Sequence, residues 1–189
     1  MPFQTPPPIE TDRLIVRLVE ESDLPALMQV NGDAEVTRYL PYQTWQTRND
    51  AQAWYQRMRG LQVAGHALQF VVVDKRSASA VGTCLLFHLE EESARAELGY
   101  VLASSLWGTG YMYDALRSLV EAAFDSLSLR RLEAEVDPRN IASHKLLLKL
   151  GFTHEGLLRQ RWLTKGIPTD TNIYGLLRSE WQQRFGANG

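Results

Sequence analysis

The sequence predicts a single α/β domain in which a mixed, mostly antiparallel sheet is flanked by helices, and three observations carry that reading. Its 189 residues suffice for one domain with a sizeable core and fall short of two ordinary ones. Three β-rich runs between Ala67 and Leu102 follow one another across short polar turns, the pattern of an antiparallel meander. From Met112 onward the period becomes that of an amphipathic helix, and strand and helix then alternate.

Residues 1–10 contain four prolines and no apolar run of signal-peptide length, so they read as a flexible amino-terminal arm of the one domain spanning 1–189. Alternating Leu14, Val16 and Leu18 predict a first strand. Ser22, Asp23 and Pro25 mark a helix start, with an oxygen cap and a proline in the first turn. Gly32 stops that helix, and Ala34 to Leu40 reads as a short second one. Thr47 with Asp50 has the spacing of a capping box, behind which Ala51, Trp54, Tyr55, Met58 and Leu61 share one face. After Gly65, Leu68 to Asp74 and Val81 to Leu89 form a hairpin about Lys75 to Ala80, and Arg95 to Leu102 adds a third strand.

Met112, Leu116, Leu119, Val120, Ala123 and Phe124 then mark the stripe of a helix running to Leu127. Arg131 to Val136 is a strand, Asp137-Pro138-Arg139 a turn, and Ile141 to Leu150 a helix ended by Gly151. Phe152 to Leu158 and Asn172 to Leu177 are the last strands, separated by a loop that holds Lys165 to Pro168.

Hydrophobic residues make up 44% of the chain and charged ones 22%, which excludes disordered and low-complexity classes. Twenty basic against twenty-two acidic residues leave a net charge of -2, no footprint for direct nucleic-acid or anionic-membrane binding. No run approaches the roughly 18 apolar residues of a membrane span. The lone Cys84 excludes a disulfide framework and points to the reducing cytoplasm, and its apolar flanks place it in the core. His66, His88, His144 and His154 lack the spacing of metal ligands, so no metal is expected.

The stretch Trp107-Gly108-Thr109-Gly110-Tyr111-Met112 leads out of the third strand into the amphipathic helix. Two glycines two apart permit a tight turn that exposes successive N–H groups, and the helix behind adds unsatisfied donors and the positive end of its dipole. By physical type this is a pyrophosphate cradle, and by itself it is equally a glycine turn at a strand-to-helix corner. Together with Glu97-Leu98-Gly99-Tyr100 before it and Asn140 to Phe152 followed by Glu155-Gly156 after it, the loop resembles the GNAT acetyltransferases, in particular the RimJ/RimL branch. Thr11 to Leu14 with Arg17, and Asp170 to Trp181, extend the likeness over nearly the whole chain.

The resemblance implies a GNAT-type fold in which acetyl coenzyme A wedges between two splayed strands with its pyrophosphate on the glycine loop. Trp107 to Met112 would then supply backbone donors, Val101 and Leu102 would pair by backbone with the pantetheine arm, and Asn140 would meet that arm. The chain departs from the common pattern at Trp107 and Met112, and Trp107 brings no charge to the phosphates. It also departs at Leu147, where the family often has the tyrosine that protonates the thiolate. Ser143, three residues after Asn140, is the alternative donor to sulfur.

Transfer to an amine needs a proton acceptor, and Glu97 is the candidate, sharing a strand face with Gly99, which leaves room for a substrate. The competing reading makes Glu97 a solvated charge or a partner of Arg95. Asn140 after Asp137-Pro138 is equally a natural helix cap, and Ser143 a first-turn residue. The resemblance implies an N-acetyltransferase acting by direct attack in a ternary complex on a primary amine, either a protein amino terminus or a small molecule such as a polyamine, amino acid or aminoglycoside. The rival is a non-catalytic coenzyme A sensor. The acceptor pocket is expected in the loops Asn31 to Arg48 and Arg159 to Thr171, with Trp45 or Trp162 as candidate lining, and a homodimer is left open.

Overall fold

The computed structural model of the chain describes residues 6–186 and contains one eight-stranded sheet. Its strands are β1 (Ile9–Glu10), β2 (Leu14–Leu18), β3 (Ala67–Asp74), β4 (Ser79–Glu90), β5 (Arg95–Leu102), β6 (Arg131–Val136), β7 (Thr153–Thr164) and β8 (Ile167–Leu177). They lie in the order β1-β2-β3-β4-β5-β6-β8-β7, antiparallel throughout except where β5 meets β6. The helices are α1 (Leu24–Asn31), α2 (Ala34–Thr37), α3 (Arg48–Val63), α4 (Tyr111–Asp125), α5 (Ile141–Leu150) and α6 (Arg178–Phe185).

Two cores follow from the two faces of this sheet. Leu68, Phe70 and Val72 of β3 alternate into a core with Leu116, Leu119, Val120 and Phe124 of α4 and Leu147 and Leu150 of α5. Val71 and Val73 turn the other way, onto Leu27 of α1 and Trp54 and Met58 of α3. Every residue of β3 is therefore buried, as a strand sandwiched on both faces must be. Three of the four cap signals act as their chemistry requires, whereas the expected oxygen cap of α1 is not made: the Asp23 side chain accepts from Glu20 N–H and pairs with Arg17 instead. Asp50 and Thr47 close a reciprocal capping box on α3, the Asn140 side chain accepts from the Ser143 N–H at the start of α5, and Gly151 ends α5 in the left-handed region at φ 98°.

The site is prepared where β5 and β6 run parallel. They pair only over Arg95–Glu97 and Arg131–Glu133, and the next residues of each strand part. The backbone parity of β5 fixes which groups face that splay. Ala94 C=O accepts from Arg130 N–H and Ala103 N–H donates to Val81 C=O, so even-numbered residues present their backbone toward β6 and odd-numbered ones toward β4.

The carboxyl-terminal third differs from its sequence reading. The two last strands are longer than the expected Phe152–Leu158 and Asn172–Leu177, and the expected loop between them is the outer part of a hairpin that pairs to Thr164↔Ile167. A helix, α6, follows and buries Trp181 against Phe124. At the other end, Ile9–Glu10 pairs with β2, so the expected arm is held to the sheet over these residues, and residues 1–5 lie outside the described part.

Candidate active site

The loop between β5 and α4 has the conformation its glycines allow. Gly108 and Gly110 lie at φ 75° and 85°, a region costly for any side chain, and Gly110 caps α4 directly. A Cβ added at Gly108 would meet nothing within 4 Å, so the loop opens outward there. Trp107 N–H is bonded to Ser104 C=O and Thr109 N–H to Leu106 C=O, which leaves Gly108, Gly110 and the first-turn donors of Tyr111 and Met112 for a ligand. The Met112 side chain itself is buried beside Cys84 in the core. Arg13 at the start of β2 braces the loop from another part of the chain: its guanidinium is bonded to Asp114 on α4, donates to Thr109 C=O at 3.2 Å, and lies 4.4 Å from the Tyr111 ring centre.

Within the splay, the pleat corrects one expectation. Val101 directs its carbonyl toward Gly82 of β4, where an added Cβ would come within 2.3 Å of it, so its backbone is not on the open edge. Leu98, Tyr100 and Leu102 occupy that edge, and Leu102 C=O accepts from the Trp107 indole N–H at 2.9 Å. Across the gap stands the first turn of α5. The Tyr100 hydroxyl lies 2.5 Å from Ser143 Oγ, joining the two arms of the splay. Leu147 is fully buried in the core and offers no donor. This donor set fits a pyrophosphate with a pantetheine arm: outward N–H groups at a helix start, then an unpaired strand edge.

The other face of β5 and β6 is only half-buried at its side chains and is lined by carboxylates. Glu97 retains 14% side-chain exposure and is 3.0 Å from His88 Nδ1. Burial raises its pKa above the usual carboxylate range, the His88 hydrogen bond opposes that, and the neighbouring charge of Glu135 adds to it. Arg95 pairs with Glu133 at 3.0 Å, not with Glu97, which removes the competing reading of Glu97 as that arginine's partner. Arg131 bridges Glu133 and Glu155. Glu135 accepts from the Trp162 indole N–H at 2.5 Å.

Segment 33–39 crosses the mouth of the splay. Asp33 accepts from Ser104 beyond β5, the Tyr39 ring lies 5.7 Å from the Arg139 guanidinium beyond β6, and Thr37 C=O accepts from Lys165 at the hairpin turn at 2.8 Å. Both expected acceptor loops thus meet over the open face. Trp162 stands there with 47% exposure, whereas Trp45 is buried against Trp54 in the second core. Sequence reasoning missed Glu133, Glu135 and His88. The first two look like the wet half of an amphipathic strand, and His88 reaches Glu97 only through the irregularity between Phe87 and Glu90, where its own φ is 48°.

Comparison with known proteins agrees with this architecture. Residues 13–153 match the family described as Acetyltransferase (GNAT) domain. The N-acetyltransferase p20 of Bacillus licheniformis is 36% identical over 171 residues, 90% of this chain and 96% of its own. The [ribosomal protein uS5]-alanine N-acetyltransferase of Escherichia coli is 27% identical over 92% of both chains. The fold is that of the spermidine N-acetyltransferase from Vibrio cholerae solved with CoA and spermine, at a TM-score of 0.79 and 20% identity, over 90% of this chain and 99% of that one.

Proposed function

The chain belongs to the GNAT family of acetyl-CoA-dependent N-acetyltransferases, and on that premise we propose that it acetylates the amino-terminal amine of a protein by direct attack in a ternary complex. The observation that carries this reading is Glu97, a nearly buried carboxylate on the open face beside a splay whose other end opens on the glycine loop. Acetyl-CoA supplies the acetyl group, and the residues of this chain bind it and orient the amine. As the N–C bond forms and the C–S bond breaks, the nitrogen loses two protons, one to Glu97 before attack and one that ends on the departing thiolate. Gly108, Gly110, Tyr111 and Met112 hold the pyrophosphate by backbone N–H, and the β5 edge at Leu98, Tyr100 and Leu102 holds the arm. Glu97 accepts the proton of the incoming ammonium, and the upward shift that burial gives its pKa makes it a stronger proton acceptor than an exposed carboxylate. Ser143 donates a hydrogen bond to the departing sulfur in place of the missing tyrosine at 147. Cys84 is fully buried with its thiol pushed up by that burial, so no cysteine relay competes with direct attack.

Glu133 is held by Arg95 and Arg131, and Glu135 lies 3.6 Å from Arg161. Glu97, which has no arginine partner among the described residues, is therefore the carboxylate that meets the ammonium group, and the segment crossing the mouth favours a chain end over an internal side chain. The relative named for the alanine of a ribosomal protein points the same way. Thiol release from acetyl-CoA, measured with peptides bearing free amino termini, the same peptides blocked, polyamines, amino acids and aminoglycosides, tests the reading. Turnover highest with free peptide termini is expected. Turnover highest with a polyamine or another small amine overturns the acceptor, and coenzyme binding with no thiol release from any amine overturns the catalytic assignment.

A further inference from the structure

The contact between Tyr100 and Ser143 bridges the two arms of the splay at the point where the strands have already separated. Tyr100 lies three residues past the last β5–β6 rung at Glu97↔Glu133, and Ser143 sits in the first turn of α5. The phenol oxygen is 2.5 Å from Ser143 Oγ and 3.5 Å from Ser143 C=O. Each hydroxyl has one proton, and two arrangements share this contact. If serine donates to tyrosine, the phenol proton is left with a carbonyl at the limit of hydrogen-bonding distance. If tyrosine donates to serine, the short contact is filled, and the serine proton is left for a third partner. The Ser143 N–H is already bonded to Asn140, so the backbone of this residue is fixed while its hydroxyl would otherwise rotate.

We propose that Tyr100 is a positioning residue, whose phenol donates to Ser143 Oγ and thereby commits the single serine proton to the leaving sulfur. The alternative, serine donating to tyrosine, is the weaker arrangement because it leaves the phenol proton only the carbonyl at 3.5 Å, and burial raises the phenol pKa, which keeps Tyr100 protonated as a donor. A hydrogen bond received by Ser143 Oγ also polarises its O–H and strengthens it as a donor. The fully buried Leu147 explains why the task falls here: the helix position one turn on carries no donor at all. This proposal rests on the reading of Ser143 as the donor to sulfur.

Tyr100→Phe keeps the ring in place and removes one hydroxyl, so the fold is retained, which thermal melting verifies. Its expected effect is a fall in kcat of about 3- to 10-fold, the effect of one hydrogen bond, with KM for acetyl-CoA within about two-fold. The same substitution should have no further effect in a Ser143→Ala background and its full effect in a Ser143→Thr background, where the hydroxyl is restored. An undiminished effect of Tyr100→Phe in Ser143→Ala overturns the proposal, because tyrosine then acts without serine. An intact kcat in Tyr100→Phe, alongside a reduced kcat in Ser143→Ala, overturns it too and leaves the role of Ser143 standing. An intact kcat in Ser143→Ala removes the reading of Ser143 on which it rests.

Discussion

β3 and β7 belong to one sheet and meet different surroundings. All eight residues of β3 are buried, its two faces closed by α4 on one side and by α1 and α3 on the other, whereas of the twelve residues of β7 ten are exposed and two half-buried. Between these extremes stand β5 and β6, covered on one face and open on the other. The charged residues of the site collect on that open face, where a carboxylate is dry enough to be perturbed and still within reach of a substrate. Burial on both faces supports stability, and burial on one face supports chemistry.

That division is open to test by substitution. The largest effect falls at the half-covered boundary: Glu97→Gln preserves shape and removes the proton acceptor, and steady-state assays should show turnover lower by about 10² to 10⁴, with little change in melting temperature or coenzyme affinity. In the closed region the order reverses. Phe124→Ala, at a fully buried position, should cost about 3–5 kcal/mol in denaturant unfolding, and its folded fraction should keep near-normal turnover.

Gly110→Val places a β-branched residue at φ 85°; about 1–3 kcal/mol of local strain and occlusion of the cradle should weaken CoA binding by tenfold or more in calorimetry, in a protein that still folds. Smaller again is His88→Ala. The imidazole holds the Glu97 pKa down against burial, so without it that pKa rises, and the acidic limb of the pH–rate profile, where activity is lost as pH falls and Glu97 protonates, should move to higher pH. Leu163→Ser on β7, 72% exposed, should change stability by no more than about 0.5 kcal/mol. A large loss there would mean that β7 is covered in solution.

The same contrast explains what could be read in advance. β5, β6 and α5 occupy the spans their sequences announce, Arg95–Leu102, Arg131–Val136 and Ile141–Leu150, because one face of each is dry and the ends carry turn or cap residues. The glycine loop was legible for a different reason, since only glycine suits its two positive φ angles. β7 wrote no period into its sequence, because Leu157, Leu158 and Leu163 remain exposed among arginines and the strand is defined by its pairing with β8. Tyr100 and Leu102, in place of Val101, hold the open backbone edge because of which neighbour takes the intervening groups, a property of three strands together. Glu133 and Glu135 join the site through a parallel pairing across thirty-six residues of sequence, from Glu97 to Glu133, that no local pattern encodes.

The brace from Arg13 to the glycine loop gives coenzyme binding a history in time. Arg13 and Asp114 are separated by 101 positions, and the entropy of closing so long a loop must be met before their contact forms. During synthesis β2 leaves the ribosome long before its partner exists, so the loop completes its shape only after the meander and α4 have assembled around it. A fragment beginning after Arg13 would keep both glycines and lose the tie that steadies them. Acquisition of coenzyme affinity would therefore date the docking of β2 onto α4, a clock read from a binding site.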